Sequence, residues 1–507
     1  MRLVCPGAPR LLELSPIMSE LTAGRAAEIS RPNYRTTALI IASALFMEQL
    51  DATVLATALP TMAKYFDVSP SHMSIALTSY LLSLAVLIPA SGHLADRFGA
   101  RTVFSSAIAI FTVGSILCAQ APNLSLLVFA RLLQGAGGAM MIPVGRLVLL
   151  RSVDKQDLVS AMSWFLAPAL TGPILGPPIG GLIVTYLNWR WIFYINVPIG
   201  VLGLVLTWFF IQNTRATTRQ PFDLIGFALS GVSLACLLFG FETASRGMSE
   251  TSVALGLIGA GLVSGVAYVV YARRLRRTTP ILDLSLMRIP TFRVALVAGS
   301  LSRITQGAQP FLLPLMMQIS FGMSAAESGL LTFATACGSM LMKPTAAPIL
   351  RRFGFRNTLI WNGVLSSLLY AACAAFRQDW PHWILFTVLA VCGFSMSLQF
   401  TAYNTVAYDD IASERTAAAN SFYTTFQQLM LSFGICTGAL ALTMSKMIGD
   451  HLHPTIGDFS AAFLAVTAIS LLAAPVCLGF PRNAGAVMSG HRRKTEDIEV
   501  DAAAAAT

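Results

Sequence analysis

The sequence predicts an all-α polytopic membrane protein with fourteen transmembrane helices: two six-helix bundles and a two-helix insert between them. Three observations predict it. Of 507 residues, 55% are hydrophobic and only 11% are charged, against about 25% charged in soluble domains. The apolar residues gather into about fourteen stretches of the length that crosses a bilayer as a helix, which is roughly 20 residues. Polar landmarks of the first half also recur in the second half at a nearly constant distance.

In chain order the stretches lie near 37–60, 74–95, 102–120, 124–150, 158–186, 191–212, 222–242, 252–271, 292–318, 328–347, 358–376, 383–406, 417–444 and 459–480. They leave short loops and no room for a large soluble domain. Even-numbered loops and both tails hold most of the 34 Lys and Arg, while odd-numbered loops hold only Lys64, Arg190, Arg246, Arg377 and Lys446. Positive charge marks the cytoplasmic side, so both termini are expected inside. The net charge of +10 then reports topology, and no nucleic-acid partner is expected. The first 35 residues lack a long apolar core and a cleavage site of small residues, so they read as a tail, not a signal peptide. Met18 is an alternative start. Seven of the eight cysteines lie in apolar stretches and Cys5 lies in the tail. None has metal-ligand spacing, so the expectation is no metal, no cofactor and no disulfide framework.

The repeat distance is about 255 residues. Asp96-Arg97-Phe98-Gly99-Ala100-Arg101 is echoed by Arg351-Arg352-Phe353-Gly354-Phe355-Arg356, and Pro89 by Pro344. A fixed period signals a duplicated unit, and paired six-span halves are one transporter solution. The predicted organisation is a cytoplasmic tail (1–35), an N-terminal six-helix bundle (36–212), a two-helix insert with cytoplasmic loops (213–290), a C-terminal six-helix bundle (291–480) and a second cytoplasmic tail (481–507). The insert carries few polar groups at membrane depth and is expected outside the duplicated core.

Four features carry chemistry. Gly92-His93-Leu94-Ala95-Asp96-Arg97-Phe98-Gly99-Ala100-Arg101 places two glycines, an acid and two arginines between two apolar stretches, so it marks a water-facing turn. In the first stretch Glu48 and Asp51 are three residues apart, hence on one helix face. Acids at membrane depth are costly and usually face a cavity or a partner. Arg131 lies mid-stretch beside Gly135, Gly137 and Gly138, which let another helix approach closely, so it is expected to meet Asp51 or Glu48. Arg146 is nearer the surface and reads as snorkelling. The fifth stretch contains Gly172-Pro173-Ile174-Leu175-Gly176-Pro177-Pro178-Ile179-Gly180-Gly181, whose prolines remove backbone donors and whose glycines allow close packing. It reads as a kinked, smooth helix at a moving seam.

With these residues assembled, the chain resembles the fourteen-span drug/proton antiporters of the major facilitator superfamily, the EmrB/QacA-like group. Leu50-Asp51-Ala52-Thr53-Val54-Leu55-Ala56-Thr57-Ala58-Leu59-Pro60 looks like that group's first-span motif, and Trp189 to Pro198 is also typical of it. The resemblance covers about residues 36–480, and the run from Ser300 to Arg356 is similar to the MdtD-like branch. It implies the major facilitator fold in a bacterial inner (cytoplasmic) membrane. It also implies Asp51 as the proton-coupling acid and Arg131 as its relay partner; Glu48, on the same helix face, is expected to share the proton-coupling role. Gly92, Asp96, Arg97, Gly99 and Arg101 would form a cytoplasmic gating loop. Gly172, Pro173, Gly176, Pro177, Gly180 and Gly181 would form the antiporter's helix-kink motif.

Two departures bear on the substrate. The second-half echo of the gating loop lacks an acid, and the ninth stretch carries Arg303, Gln306 and Gln309. The offset of 255 sets Arg303 opposite Glu48 and Gln306 opposite Asp51, and Lys343 adds a further buried cation. Arg303, Gln306 and Gln309, together with Tyr403, Asn404 and Gln427, are the expected substrate cavity. The expected function is a proton-coupled exporter of small amphipathic compounds or drugs working by alternating access. The alternative is a dedicated exporter of an organic acid, siderophore or other metabolite. An enzyme would need a convergent nucleophile, metal or cofactor set, a sensor would need a soluble output domain, and ATP drive would need a phosphate loop; none is legible. The expected partners are a small-molecule substrate, protons and the lipid bilayer, with a periplasmic adaptor left open. Asp450-His451-Leu452-His453, with Asp458 beyond, holds metal-ligand residue types but reads as a solvated loop.

Overall fold

In hydrocarbon a helix satisfies every backbone donor and acceptor within its own segment, and the apolar stretches fold accordingly. The computed structural model describes residues 34–153, 158–213, 221–246, 250–275, 280–412 and 415–490, and no strand occurs among them. Most of the two predicted tails, with Arg276 and Arg277, lies outside the described residues. The long helices are α1 (Tyr34–Tyr65), α2 (Ile75–Phe98), α3 (Ala100–Gln120), α4 (Leu124–Ser152), α5 (Leu158–Tyr186), α6 (Asn196–Phe210), α7 (Leu224–Ala244), α8 (Thr251–Arg274), α9 (Pro290–Leu315), α10 (Ala325–Met342), α11 (Ala346–Ala372), α12 (His382–Val406), α13 (Thr416–Ile448) and α14 (Ile456–Leu471).

Among the described residues, eleven helical stretches are long and apolar enough to cross a membrane. One of them, Ala325–Ala375, contains both α10 and α11, while α5 and α9 fall outside the set. The polytopic expectation holds, and this measure stops short of fourteen spans. The outer surface agrees with a lipid environment: Trp208, Phe209, Val263 and Trp361 are each more than 60% exposed, a cost in water that hydrocarbon removes.

Local signals start the helices. Asn123 accepts from the Leu126 amide at 2.9 Å before α4, and Pro290 opens α9 where its missing N–H costs nothing. Ser324 with Glu327, and Thr455 with Asp458, form capping boxes before α10 and α14. Asp458 also accepts from Ser445 and lies 2.9 Å from His451. Its role there is a cap.

The predicted turn of ten residues is a single break. α2 runs to Phe98 and α3 starts at Ala100; only Gly99 leaves helical geometry, at φ 98°. That region of φ is open to glycine at little cost. Gly354, at the repeat distance of 255, interrupts α11 in the same way at φ 72°. Duplication is therefore visible in the backbone as well as in the residues.

Within the N-terminal half α1 lies along α5 and α6, and α4 lies between α2 and α3; in the C-terminal half α9 packs on α13 and α14, and α12 on α10 and α11. The halves meet through α5 against α10 and α2 against α13. Their cores differ along the molecule. Near Met62, Met73, Phe311 and Phe459 one apolar core joins both halves. Toward the Gly99 end, Ile41, Phe104 and Val148 belong to a core of the N-terminal half alone, and Phe292, Phe355 and Phe422 to one without N-terminal residues. The molecule is sealed at one end, with separate cores at the other.

The insert is less peripheral than its composition suggests. α7 and α8 pack on each other, with Gly240 against Ile258 and Gly261 against Leu237. α7 also lies on α2 and α13, where Leu82, Leu234, Leu238, Leu429 and Cys436 form a core shared by both halves and the insert.

Candidate functional site: a buried carboxylate and its donors

Glycine decides where Arg131 can go. A side chain at Gly135 would press on Ser83 and the Tyr80 carbonyl at 2.7 Å, and one at Gly137 on the Ala107 carbonyl at 2.6 Å. Without side chains there, α4 sits tight against α2 and α3, and Arg131 enters the core of the half fully buried.

There its Nη1 meets Asp51 Oδ2 at 2.6 Å, with neither side chain exposed beyond 2%. Arg131 Nε donates to the Ala76 carbonyl at 2.9 Å, and its guanidinium lies 4.4 Å from the centre of the Tyr80 ring. Asp51 Oδ1 accepts from Gln134 Nε2 and from Asn196 Nδ2, both at 2.8 Å. Gln134 in turn donates to Ser115 at 2.8 Å and accepts from Arg131 at 2.6 Å. Five helices, α1, α2, α3, α4 and α6, thus contribute to one polar cluster. Glu48, one turn before Asp51, is equally buried, and its Oε2 has no hydrogen-bond partner.

Gln134, Ser115 and Asn196 carry no role in the sequence reading, although Gln134 lies in the Arg131 run and Asn196 in the Trp189 run. Each was legible as a polar residue in an apolar stretch. What they serve became visible only once the helices met.

α5 remains one continuous helix across Pro173, Pro177 and Pro178. Side chains at Gly172, Gly176 and Gly180 would strike Gln49, Thr53 and Val54 of α1, so every fourth residue of α5 forms a groove for α1. Gly181 faces Ala325 of α10, and Gly329 of α10 faces the Pro177 carbonyl. The motif is therefore the contact between the halves as well as the bed of the helix that carries Asp51.

In the predicted gating loop Asp96 pairs with Arg151 of α4 at 2.7 Å, not with its neighbour Arg97. Arg97 lies 5.4 Å from the Phe98 ring centre. Arg101 reaches the end of α6, donating to the Ile211 carbonyl at 3.4 Å and lying over Trp208. Gly99 sits against Asn213, while Gly92 borders open space.

The second half gathers a different group. Arg303 is 8% exposed, its guanidinium lies 4.0 Å from the Phe400 ring centre, and its Nη2 has no hydrogen-bond partner. No carboxylate lies within ion-pair distance of it among the described residues. Gln427 donates to Asn404 at 2.6 Å, and Asn404 to the Phe400 carbonyl at 2.8 Å. Gln309 donates to Thr335 at 3.2 Å, and Gln306 is half-buried on the same helix. Tyr403 turns elsewhere: its hydroxyl contacts Gln399 and Cys477 at 3.2 and 3.1 Å, within helix packing.

Comparison with known proteins agrees with this architecture. The sequence pattern of the Major Facilitator Superfamily matches residues 41–435 and 295–495. A protein of Salmonella heidelberg described as putative multidrug resistance protein MdtD is 36% identical over 468 residues, covering 91% of this chain and 98% of its own. Among solved structures, a D-xylose-proton symporter superposes with a TM-score of 0.61 at 14% identity, covering 89% of this chain and 98% of its own. An auto-inhibited peptide transporter of the POT family superposes at 0.62 with 17% identity, covering 87% and 96%. With half-bundles, seam and sequence pattern in agreement, this multi-pass membrane protein is a transporter and not an enzyme, and the chain belongs to the major facilitator superfamily.

Proposed function

We propose that the chain is a proton-coupled exporter of small amphipathic compounds, with Asp51 as the proton-coupling acid, Arg131 as its counter-charge and Glu48 as an auxiliary site. The observation that carries this is the fully buried Asp51–Arg131 contact at 2.6 Å. A buried pair that loses one charge leaves the other uncompensated, at a cost of about 3–5 kcal/mol, enough to bias a two-state element. A proton arriving at Asp51 cancels the charge facing Arg131 and frees Gln134 and Asn196 from one shared acceptor. Glu48, with an oxygen lacking any donor, is a nearby place for that proton to rest. Sealing at one end and separate cores at the other corresponds to one of two openings of a rocking pair of halves. The name of the Salmonella relative supports drug-like cargo, and the basic loops support a bacterial inner membrane with both termini in the cytoplasm. The full chain in proteoliposomes tests the reading. With an imposed pH gradient, Asp51→Asn is expected to abolish gradient-driven flux while the protein stays folded; wild-type flux in that variant refutes the assignment.

A second reading, export of an organic acid, is favoured by Arg303. A buried guanidinium with a free donor, and with no carboxylate within ion-pair distance among the described residues, is suited to receive an anion from the substrate.

A further inference from the structure

Glu242 ends the seventh apolar stretch and is completely buried. Its carboxylate accepts from Ser74 Oγ at 2.9 and 3.1 Å and from Thr78 Oγ1 at 3.5 Å, both on the α2 side. It also accepts from Cys436 Sγ of α13 at 3.5 Å. One side chain of the insert therefore touches the N-terminal half and the C-terminal half together. It does so at the sealed end, beside the core that Leu82, Leu238 and Leu429 share across the seam.

No cation lies within ion-pair distance of it among the described residues. Arg246, one turn on, pairs with Glu250 at 3.5 Å instead. Around Glu242 the groups that can carry charge are Arg246 and Glu250 on its own side, His72 in the turn before α2, and Cys436 on α13; α8 offers Ala254 and Ile258 next to Gly240. Hydroxyl and thiol donors thus hold this carboxylate, unlike Asp51, which has a guanidinium.

We propose that Glu242 is a second proton-binding site, which ties α2 to α13 while ionised and releases them at this end when protonated. In the ionised form Thr78, Cys436 and Ser74, whose hydroxyl also lies 2.7 Å from the Ser71 carbonyl, share the Glu242 carboxylate as an acceptor. A proton on the carboxyl removes the charge that organises them, and α2 and α13 are free to part. The insert is then a latch across the seam, held to Ser74 and Thr78 beside the turn of α2 whose Ala76 and Tyr80 meet Arg131. The proposal rests on the proton-coupled reading only for its physiological use; its test does not depend on transport.

The experiment uses the full chain in liposomes with Cys5, Cys236 and Cys337 replaced by serine. Spin labels at Ser69, just before α2, and at Met447, near the end of α13, report the distance across the seam between pH 5 and pH 9. The expected result is a pH-dependent distance that E242Q holds at its low-pH value. Should E242Q fail to fold, S74A serves: loss of a donor to a charged acceptor, about 1.5–3 kcal/mol, moves the pH midpoint upward by about one unit or more. An unchanged pH response in folded E242Q, or an unchanged midpoint in S74A, overturns the proposal. If transport ignores a pH gradient while the label distance still responds through Glu242, the transport reading falls and this site stands.

Discussion

Arg131 and Asp51 lie 80 positions apart in the chain and 2.6 Å apart in space, and both are buried. Each makes the other tolerable. The guanidinium also holds Gln134, and Gln134 with Asn196 completes the donors around the Asp51 carboxylate. A change at any one of these side chains is therefore felt by the others.

Breaking this pair on one side is expected to cost more than removing both charges. Arg131→Gln should destabilise the protein by about 3–5 kcal/mol, because a buried carboxylate is left without its counter-charge. The double change Arg131→Gln with Asp51→Asn should recover part of that loss. Thermal unfolding of the detergent-solubilised protein checks it, and simple additivity of the two single changes contradicts the coupling.

The glycine groove of α5 makes a sharper steric prediction. A methyl group at Gly180 would lie 2.7 Å from the Val54 carbonyl and 2.5 Å from Thr57 Oγ1. Gly180→Ala is expected to force α5 off α1, with about 1–3 kcal/mol of overpacking and reduced flux. Substitution at Gly92, where a side chain meets open space, should leave stability unchanged. Equal melting temperatures for the two variants would contradict the packing described.

Arg303 separates the two substrate readings. Arg303→Gln should impair export of an organic anion by tenfold or more, since loss of a charge-assisted bond is worth about 1.5–3 kcal/mol, and should spare a lipophilic cation. Competition uptake with a panel of matched anionic and cationic dyes reads the difference. Equal loss for both charges would place Arg303 in packing, not recognition.

A pH effect is expected outside the membrane segments. Asp283, before α9, is met by Arg415 at 2.7 Å and by Ser285. Burial alone would push its carboxyl up, but the bonds from Ser285 and Arg415 outweigh it and hold it below the ordinary carboxylate range. A lowered folded value means stability that is present above the unfolded value, about 3.9, and lost as pH falls through the folded one. Both side chains are partly exposed, so screening limits the contribution to about 1 kcal/mol or less. Arg415→Ala should lower the melting temperature slightly at pH 7 and progressively less as pH falls below the unfolded value.

Much of this protein was legible in order. The helices follow from length and hydropathy, since hydrocarbon leaves a backbone no other local choice. The duplication follows from Gly99 and Gly354, and the face shared by Glu48 and Asp51 follows from helical spacing. The junction from Gly92 to Arg101 was legible as charged, but its ion pair was not, because Arg151 comes from a helix end far along the chain. Gln134 and Asn196 looked like ordinary polar residues until α4 and α6 brought them to Asp51. Glu242 was the plainest omission. A carboxylate at the edge of an apolar stretch looks like a loop residue, and only the packing of α7 between α2 and α13 buries it.

The chain alone determined where helices form, where they break and which charges must be hidden, because those are properties of short segments in an apolar solvent. Tertiary structure decided which hidden charge meets which donor and that the insert spans the seam. Such contacts join segments that are far apart in sequence, and they depend on how closely glycine-lined helices approach each other.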